Sequence, residues 1–233
     1  MVSNFFLIFV LAHFIGDFVL QTNKLAQLKF NAVKGVLVHA GVVCTVQVLI
    51  LATYGYKGIV AAFISGFAHF FIDYFKKQFK DYWKKKQFIY FVIDQVIHLG
   101  VITGLSFVFA GNSSVLEQYM SFVKLFIGLI VLLYVATVAA KIIVRDLFGN
   151  GEDAVSFMKR ERILDAISML ILAFVWMLPI GINFIIVLLA FFLYRLYQKA
   201  LFGYRIHILG VKYLIYSLTG YTVMLNLGGT YGF

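Results

Sequence analysis

Proline is nearly missing from this 233-residue chain, whose single example is Pro179. Long helices can therefore run without the breaks that proline imposes. Cysteine is as scarce: Cys44 stands alone in an apolar run, which excludes a disulfide framework. Charged residues make up 13% of the chain, about half the share found in soluble domains. No Gly/Ser- or Pro-rich stretch reads as a linker to a separate soluble domain. Neither a Gly-rich phosphate loop nor a Ser-His-Asp arrangement is present, and no motif supports nucleic-acid binding. The N-terminus lacks the basic leader and small-residue cleavage site of a signal peptide and carries His13 and Asp17 where such a peptide is apolar. It reads as a retained first helix.

What the chain has is hydrocarbon. It is 63% hydrophobic, against roughly 45–50% in soluble proteins. Apolar runs of membrane-spanning length recur, and they predict an all-α, polytopic transmembrane helix bundle. Helices are expected near 3–22, 33–52, 58–75, 88–110, 119–140, 163–178 and 181–199, about seven spans. An apolar, Gly- and Tyr-rich C-terminal segment follows at 206–227. Residues 1–110 form a four-helix His/Asp region. Residues 111–233 carry the remaining spans and a polar cytoplasmic connection at 141–162, all within one continuous membrane domain.

The net charge of +10 is explained by where the basic residues fall. Lys24, Lys29 and Lys34 lie in the first connection, and Lys76, Lys77, Lys80, Lys84, Lys85 and Lys86 in the third. Lys141, Arg145, Lys159, Arg160 and Arg162 lie in the fifth. The intervening connections hold Lys57 or no basic residue. This alternation predicts an inner-membrane protein with its N-terminus outside and its C-terminus in the cytoplasm. Phe79, Tyr82 and Trp83 interleave the lysines of 76–87, a composition that suits interfacial contact with membrane lipid.

Ionisable residues inside spans are disfavoured by hydrocarbon and mark candidate functional sites. Here they recur at one spacing: His13 with Asp17, His69 with Asp73, and Asp94 with His98, while His39 stands alone. Residues four apart share a helix face. At about 1.5 Å rise per residue, Asp17, His39, His69 and Asp94 each fall about 9–11 Å inside the cytoplasmic end of their span. Helices of alternating direction thus bring polar groups to one layer. The candidate ligands are His13, Asp17, His39, His69, Asp73, Asp94 and His98. Imidazole and carboxylate in this mixture suit one or two divalent ions, zinc first, manganese or iron as alternatives. Ser65 precedes His69 by four and shares its stripe, where its hydroxyl can meet a substrate or bond back to its own helix. Gln21 follows Asp17 by four, on the same face. Gln95, adjacent to Asp94, is expected to face elsewhere.

The segments AHFIGDFVLQ (12–21), His39, HFFID (69–73) with Lys76, and DQVIH (94–98) resemble the bacterial membrane family known as domain of unknown function 3307. That resemblance implies a helical membrane protein and carries no activity. The chain is also similar in style to membrane-bound metal-dependent hydrolases, though their His-Arg and Thr-His-Ser signatures are absent. The Ser65-to-His69 spacing is similar to that of ceramidase-like membrane hydrolases, whose later His-x-x-x-His motif is missing here.

Three functional readings stay open at this level. One is a membrane-embedded metal-dependent hydrolase of a lipid or lipid-linked ester or phosphoester, with Asp73 and Ser65 as the catalytic candidates. In such a site the ion brings the pKa of bound water to roughly 7. A second is a metal-ion or proton transporter using the same residues as a relay. A third is a non-catalytic protein with a structural metal.

Overall fold

The structure, a computed structural model, describes residues 2–79, 86–110, 118–148, 211–212 and 214–223, with single positions at 189, 193 and 196. All regular structure among these residues is helical. The chain forms two compact units, Met1–Ile130 and Val131–Phe233. In the first, α1 (Val2–Phe14) continues into a π-helical turn at Ile15–Val19, followed by α2 (Asn23–Asn31), α3 (Val33–Leu51), α4 (Gly55–Gln78), α5 (Gln87–Phe109) and α6 (Met120–Ile130). The second opens with a π-helical turn at Val131–Val135 and α7 (Ala136–Phe148). Farther along it, the helical residues 211–212 and 214–223 include the buried Lys212 and Tyr216.

Three helical stretches are long and apolar enough to cross a membrane: Val33–Gln78, Gln87–Phe109 and Met120–Ala140. The first folds back on itself. A short 3-10 turn at Ala52–Tyr54 leads to Gly55, whose φ of 69° is open to glycine at little steric cost. Beyond the turn, α4 runs antiparallel to α3. The Cys44 thiol reaches the Ala62 carbonyl at 3.8 Å, and His39 meets His69. Gly66 makes this approach possible, since a Cβ there would lie 2.6 Å from Cys44 Sγ. The 19 residues of α3 extend about 28 Å, close to the thickness of a hydrocarbon core.

Within the first unit, α1 and α5 pack against this hairpin. α1 runs antiparallel to α3, with Phe5 edge-on to Tyr54 at one end and Asp17 beside His39 at the other. Between them Gly16 lies so close that a Cβ would sit 2.8 Å from Val43 Cα. α5 is antiparallel to α1 through Phe18 and Phe91, and it meets α4 through Lys76 and Asp94. The buried stripe of α3 is Val36, His39, Ala40, Val43, Gln47 and Leu51, the i, i+3, i+4 spacing of one helix face. The opposite faces are apolar too: Leu37, Leu49, Phe63 and Phe67 are exposed. A helix hydrophobic on all sides belongs in a membrane.

The helices expected at 33–52, 58–75 and 88–110 match α3, α4 and α5 within a few residues, whereas the one expected at 3–22 is α1 to Phe14 followed by the π-helical turn to Val19. Two expectations need correction. The first connection is not a plain loop: Thr22 caps α2 by accepting from Leu25 N at 3.2 Å, and the chain bends by 90° between Asn4–Val19 and Lys24–Asn31. The helix expected to stop near 140 continues to Phe148, taking Lys141 and Arg145 with it. Residues 163–178, most of 181–199, the connection beyond Phe148 and the lysines of 80–85 lie outside the described residues.

Candidate metal centre

Four helical segments deliver the polar layer. Asp17 sits in the π-helical turn after α1, His39 on α3, His69 and Asp73 on α4, and Asp94 and His98 on α5. All are buried, at 6% exposure or less. π-turns are uncommon and gather at functional sites; this one places Asp17 between α3 and α5.

The tightest cluster consists of Asp17 Oδ1, His39 Nε2, His69 Nε2 and Asp73 Oδ2. His39 Nε2 lies 2.9 Å from Asp17 Oδ1 and 3.1 Å from His69 Nε2. His69 Nε2 lies 3.1 Å from Asp73 Oδ2 and 4.0 Å from Asp17 Oδ1, and His39 Nε2 lies 3.6 Å from Asp73 Oδ2. A tetrahedral ion with bonds of about 2.0–2.1 Å has ligand atoms about 3.3 Å apart, and these separations bracket that value. A proton lying between the two Nε2 atoms can belong to only one of them, whereas a cation could be shared by Asp17 Oδ1, His39 Nε2 and His69 Nε2. His39 Nδ1 and His69 Nδ1 are buried without a hydrogen-bond partner among the described residues, so each ring's polar bonding is concentrated on its Nε2 side.

Two overlapping groups have ligand atoms within mutual reach: Asp17, His39 and His69, and then His69, Asp73 and His98. His69 belongs to both. His98 has one ring nitrogen engaged and the other available. Its Nδ1 donates to the Asp94 carbonyl at 2.8 Å, and its Nε2 is buried without a hydrogen-bond partner among the described residues. A backbone carbonyl fixing the tautomer in this way is the usual support for a ligating histidine. The His98 ring lies 4.3 Å from that of His69 and 5.2 Å from that of His13.

Two of the seven candidate ligands lie outside these groups. His13 Nε2 is 3.9 Å from Asp17 Oδ2. Asp94 Oδ2 is taken by Lys76 Nζ at 2.6 Å, and Tyr90 donates its hydroxyl to the Lys76 carbonyl. Ser65 is buried one turn from His69, on the side away from Asp73. Gln21 Oε1 is buried without a hydrogen-bond partner among the described residues.

Gln95 does not face elsewhere: its amide donates to Asp17 Oδ2 at 3.3 Å and to Asp94 Oδ2 at 3.2 Å. Lys29 was not legible as part of the site. From α2 its ammonium reaches Asp73 Oδ2 at 2.7 Å and Asp17 Oδ1 at 4.0 Å. A signal was available, since Lys29 is one of two lysines in a nine-residue segment between two polar-faced helices. Nothing in its spacing points inward, however.

Comparison with curated proteins and with solved structures gives no match. A family model does match, over residues 5–127. That stretch carries every His and Asp of the layer together with Lys29, Lys76 and Gln95. The chain belongs to the family described as protein of unknown function (DUF3307).

Proposed function

We propose that the buried His/Asp layer holds a divalent metal ion, with zinc favoured, and that the protein is a metal-dependent hydrolase embedded in the bacterial inner membrane. Its substrate is a lipid or lipid-linked ester or phosphoester reached from the cytoplasmic leaflet. The observation that carries this reading is the set of 2.9–4.0 Å separations among Asp17, His39, His69 and Asp73.

Asp17, His39 and His69 form a two-histidine, one-carboxylate set, the composition of several hydrolytic metal sites that keep one position open. A divalent ion there supplies Lewis acidity. Asp73 stands at the fourth corner. Its Oδ2 is engaged by Lys29, while its Oδ1 is buried without a partner among the described residues and is free to accept a proton from an attacking water. Ser65 is the nearest hydroxyl candidate along the same helix stripe.

Elemental analysis and chelation test this directly. Purified protein should carry one or two equivalents of metal. Stripping by a chelator should abolish turnover of a lipid phosphoester, and zinc should restore it. Protein that is metal-free as isolated and does not take up added zinc, manganese or iron refutes the reading.

The overlapping second group, His69, Asp73 and His98, with His13 stacked on His98, favours one other reading: a relay that passes a metal ion or protons along the bundle axis. Uptake into proteoliposomes without substrate turnover would support it.

The basic connections support an orientation with the N-terminus outside and the C-terminus cytoplasmic. In a Cys44→Ala background, Tyr56→Cys at the start of α4 should react with an impermeant thiol reagent on intact cells. Gln78→Cys at the other end should not react. The reverse pattern inverts the topology and moves the layer to the outer leaflet.

A further inference from the structure

We infer that Lys29 is the substrate-anion residue of the site, and that the group it holds is a phosphoryl group rather than a neutral carboxylic ester. This rests on the metal reading above and narrows its substrate.

The first observation is a charge inventory. Three buried carboxylates (Asp17, Asp73, Asp94) are met by the ammonium groups of two partly exposed lysines, Lys29 and Lys76. These carboxylates and ammonium groups alone sum formally to −1, and a divalent ion turns that sum to +1. Uncompensated charge is strongly disfavoured inside protein and membrane, so the loaded site calls for an anion.

The second observation separates the two lysines. Lys76 has its own carboxylate, Asp94 Oδ2 at 2.6 Å, which lies outside both ligand groups. The two carboxylates beside Lys29 are those of the ligand cluster itself, Asp73 Oδ2 and Asp17 Oδ1. An ion held by Asp17, His39 and His69 takes up the Asp17 charge, so Lys29 keeps only Asp73 and its ammonium stands beside the ion with donors to spare. An oxyanion bridging ion and ammonium restores the balance. Pairing a divalent ion with a lysine is a common way to hold phosphoryl oxygens.

A third observation concerns delivery. Lys29 is held by a packing device. Gly35 of α3 lies against Leu28 and the backbone nitrogen of Lys29, where any Cβ would collide with main-chain atoms. The close approach of α2 to α3 is therefore built into the sequence at the residue before Lys29.

The test uses full-length protein in detergent micelles, loaded with zinc and assayed for metal content. Inorganic phosphate and dihexanoyl phosphatidate are titrated by calorimetry. Wild type should bind phosphate. Lys29→Met should keep its metal and weaken phosphate by about 10- to 100-fold, the worth of a charge-assisted bond. Lys29→Arg should recover most of the loss. Gly35→Ala leaves Lys29 in the chain but displaces α2, and should weaken phosphate in the same direction. Tighter binding of phosphatidate than of phosphate identifies a lipid as the source of the phosphoryl group, and equal binding identifies a free phosphoester. Unchanged phosphate affinity in metal-loaded Lys29→Met overturns the inference, as does loss of metal in that variant, which makes Lys29 a support for the ligands. A wild-type protein that takes up no metal instead fails the reading beneath it.

Discussion

His69→Ala is expected to remove metal and activity together, with metal content falling to background and turnover below detection. His69 is the one residue common to both ligand groups. Its Nε2 lies within 3.1 Å of both His39 Nε2 and Asp73 Oδ2, and alanine offers no atom in its place. The fold should survive, because the α3–α4 hairpin rests on Gly66 against Cys44 and on the apolar stripe through Val36, Val43 and Leu51. Lys29 still neutralises Asp73. His13→Ala is the matched control: it also deletes a buried imidazole, but one outside both groups, and it should leave metal content within a factor of about two. Elemental analysis of both variants, with helicity checked by circular dichroism, makes the comparison. Metal retained in well-folded His69→Ala would remove the cluster as the binding site.

The contrast between His69 and Lys29 shows where the sequence was legible. The His/Asp pairs could be read because helical geometry fixes both face and depth: spacing of four and a constant rise are enough to align Asp17, His39 and His69. Depth counting carries no rotation, so it does not say which neighbour each residue of α5 faces. Asp94 turns toward Lys76 of α4, while the next residue, Gln95, turns toward Asp17. A helix packed between two neighbours has two inward faces, so adjacent residues can both serve the site. Lys29 was hidden for another reason. Its position depends on a 90° bend and a short capped helix, features set by tertiary packing at Gly35 rather than by periodicity. The π-turn at Asp17 leaves no signature in an apolar run either.

Asp73→Asn separates catalysis from a structural staple. The substitution keeps volume and removes the proton acceptor. If three residues hold the ion and Asp73 is the base, metal content should stay near wild type. Turnover should then fall by about 10²–10⁴, the range for loss of a general base. The geometry allows this division of labour, because Asp73 Oδ2 is already engaged by Lys29 at 2.7 Å and Oδ1 is unpartnered among the described residues. The competing arrangement uses the same four atoms as a closed tetrahedron, which leaves no open position for water. In that case Asp73→Asn replaces a ligand carboxylate with a weak amide oxygen, and metal is lost with little else changed. Lys29 sharpens the distinction. In Asp73→Asn its nearest remaining carboxylate is Asp17 Oδ1, at 4.0 Å, and drawing Lys29 toward Asp17 competes with the ion for that oxygen. The double variant Asp73→Asn, Lys29→Met removes this competition. Metal recovered in the double variant but not in the single one assigns the loss to the freed ammonium and preserves Asp73 as the base. Metal absent from both makes Asp73 a ligand, and the layer is then a staple.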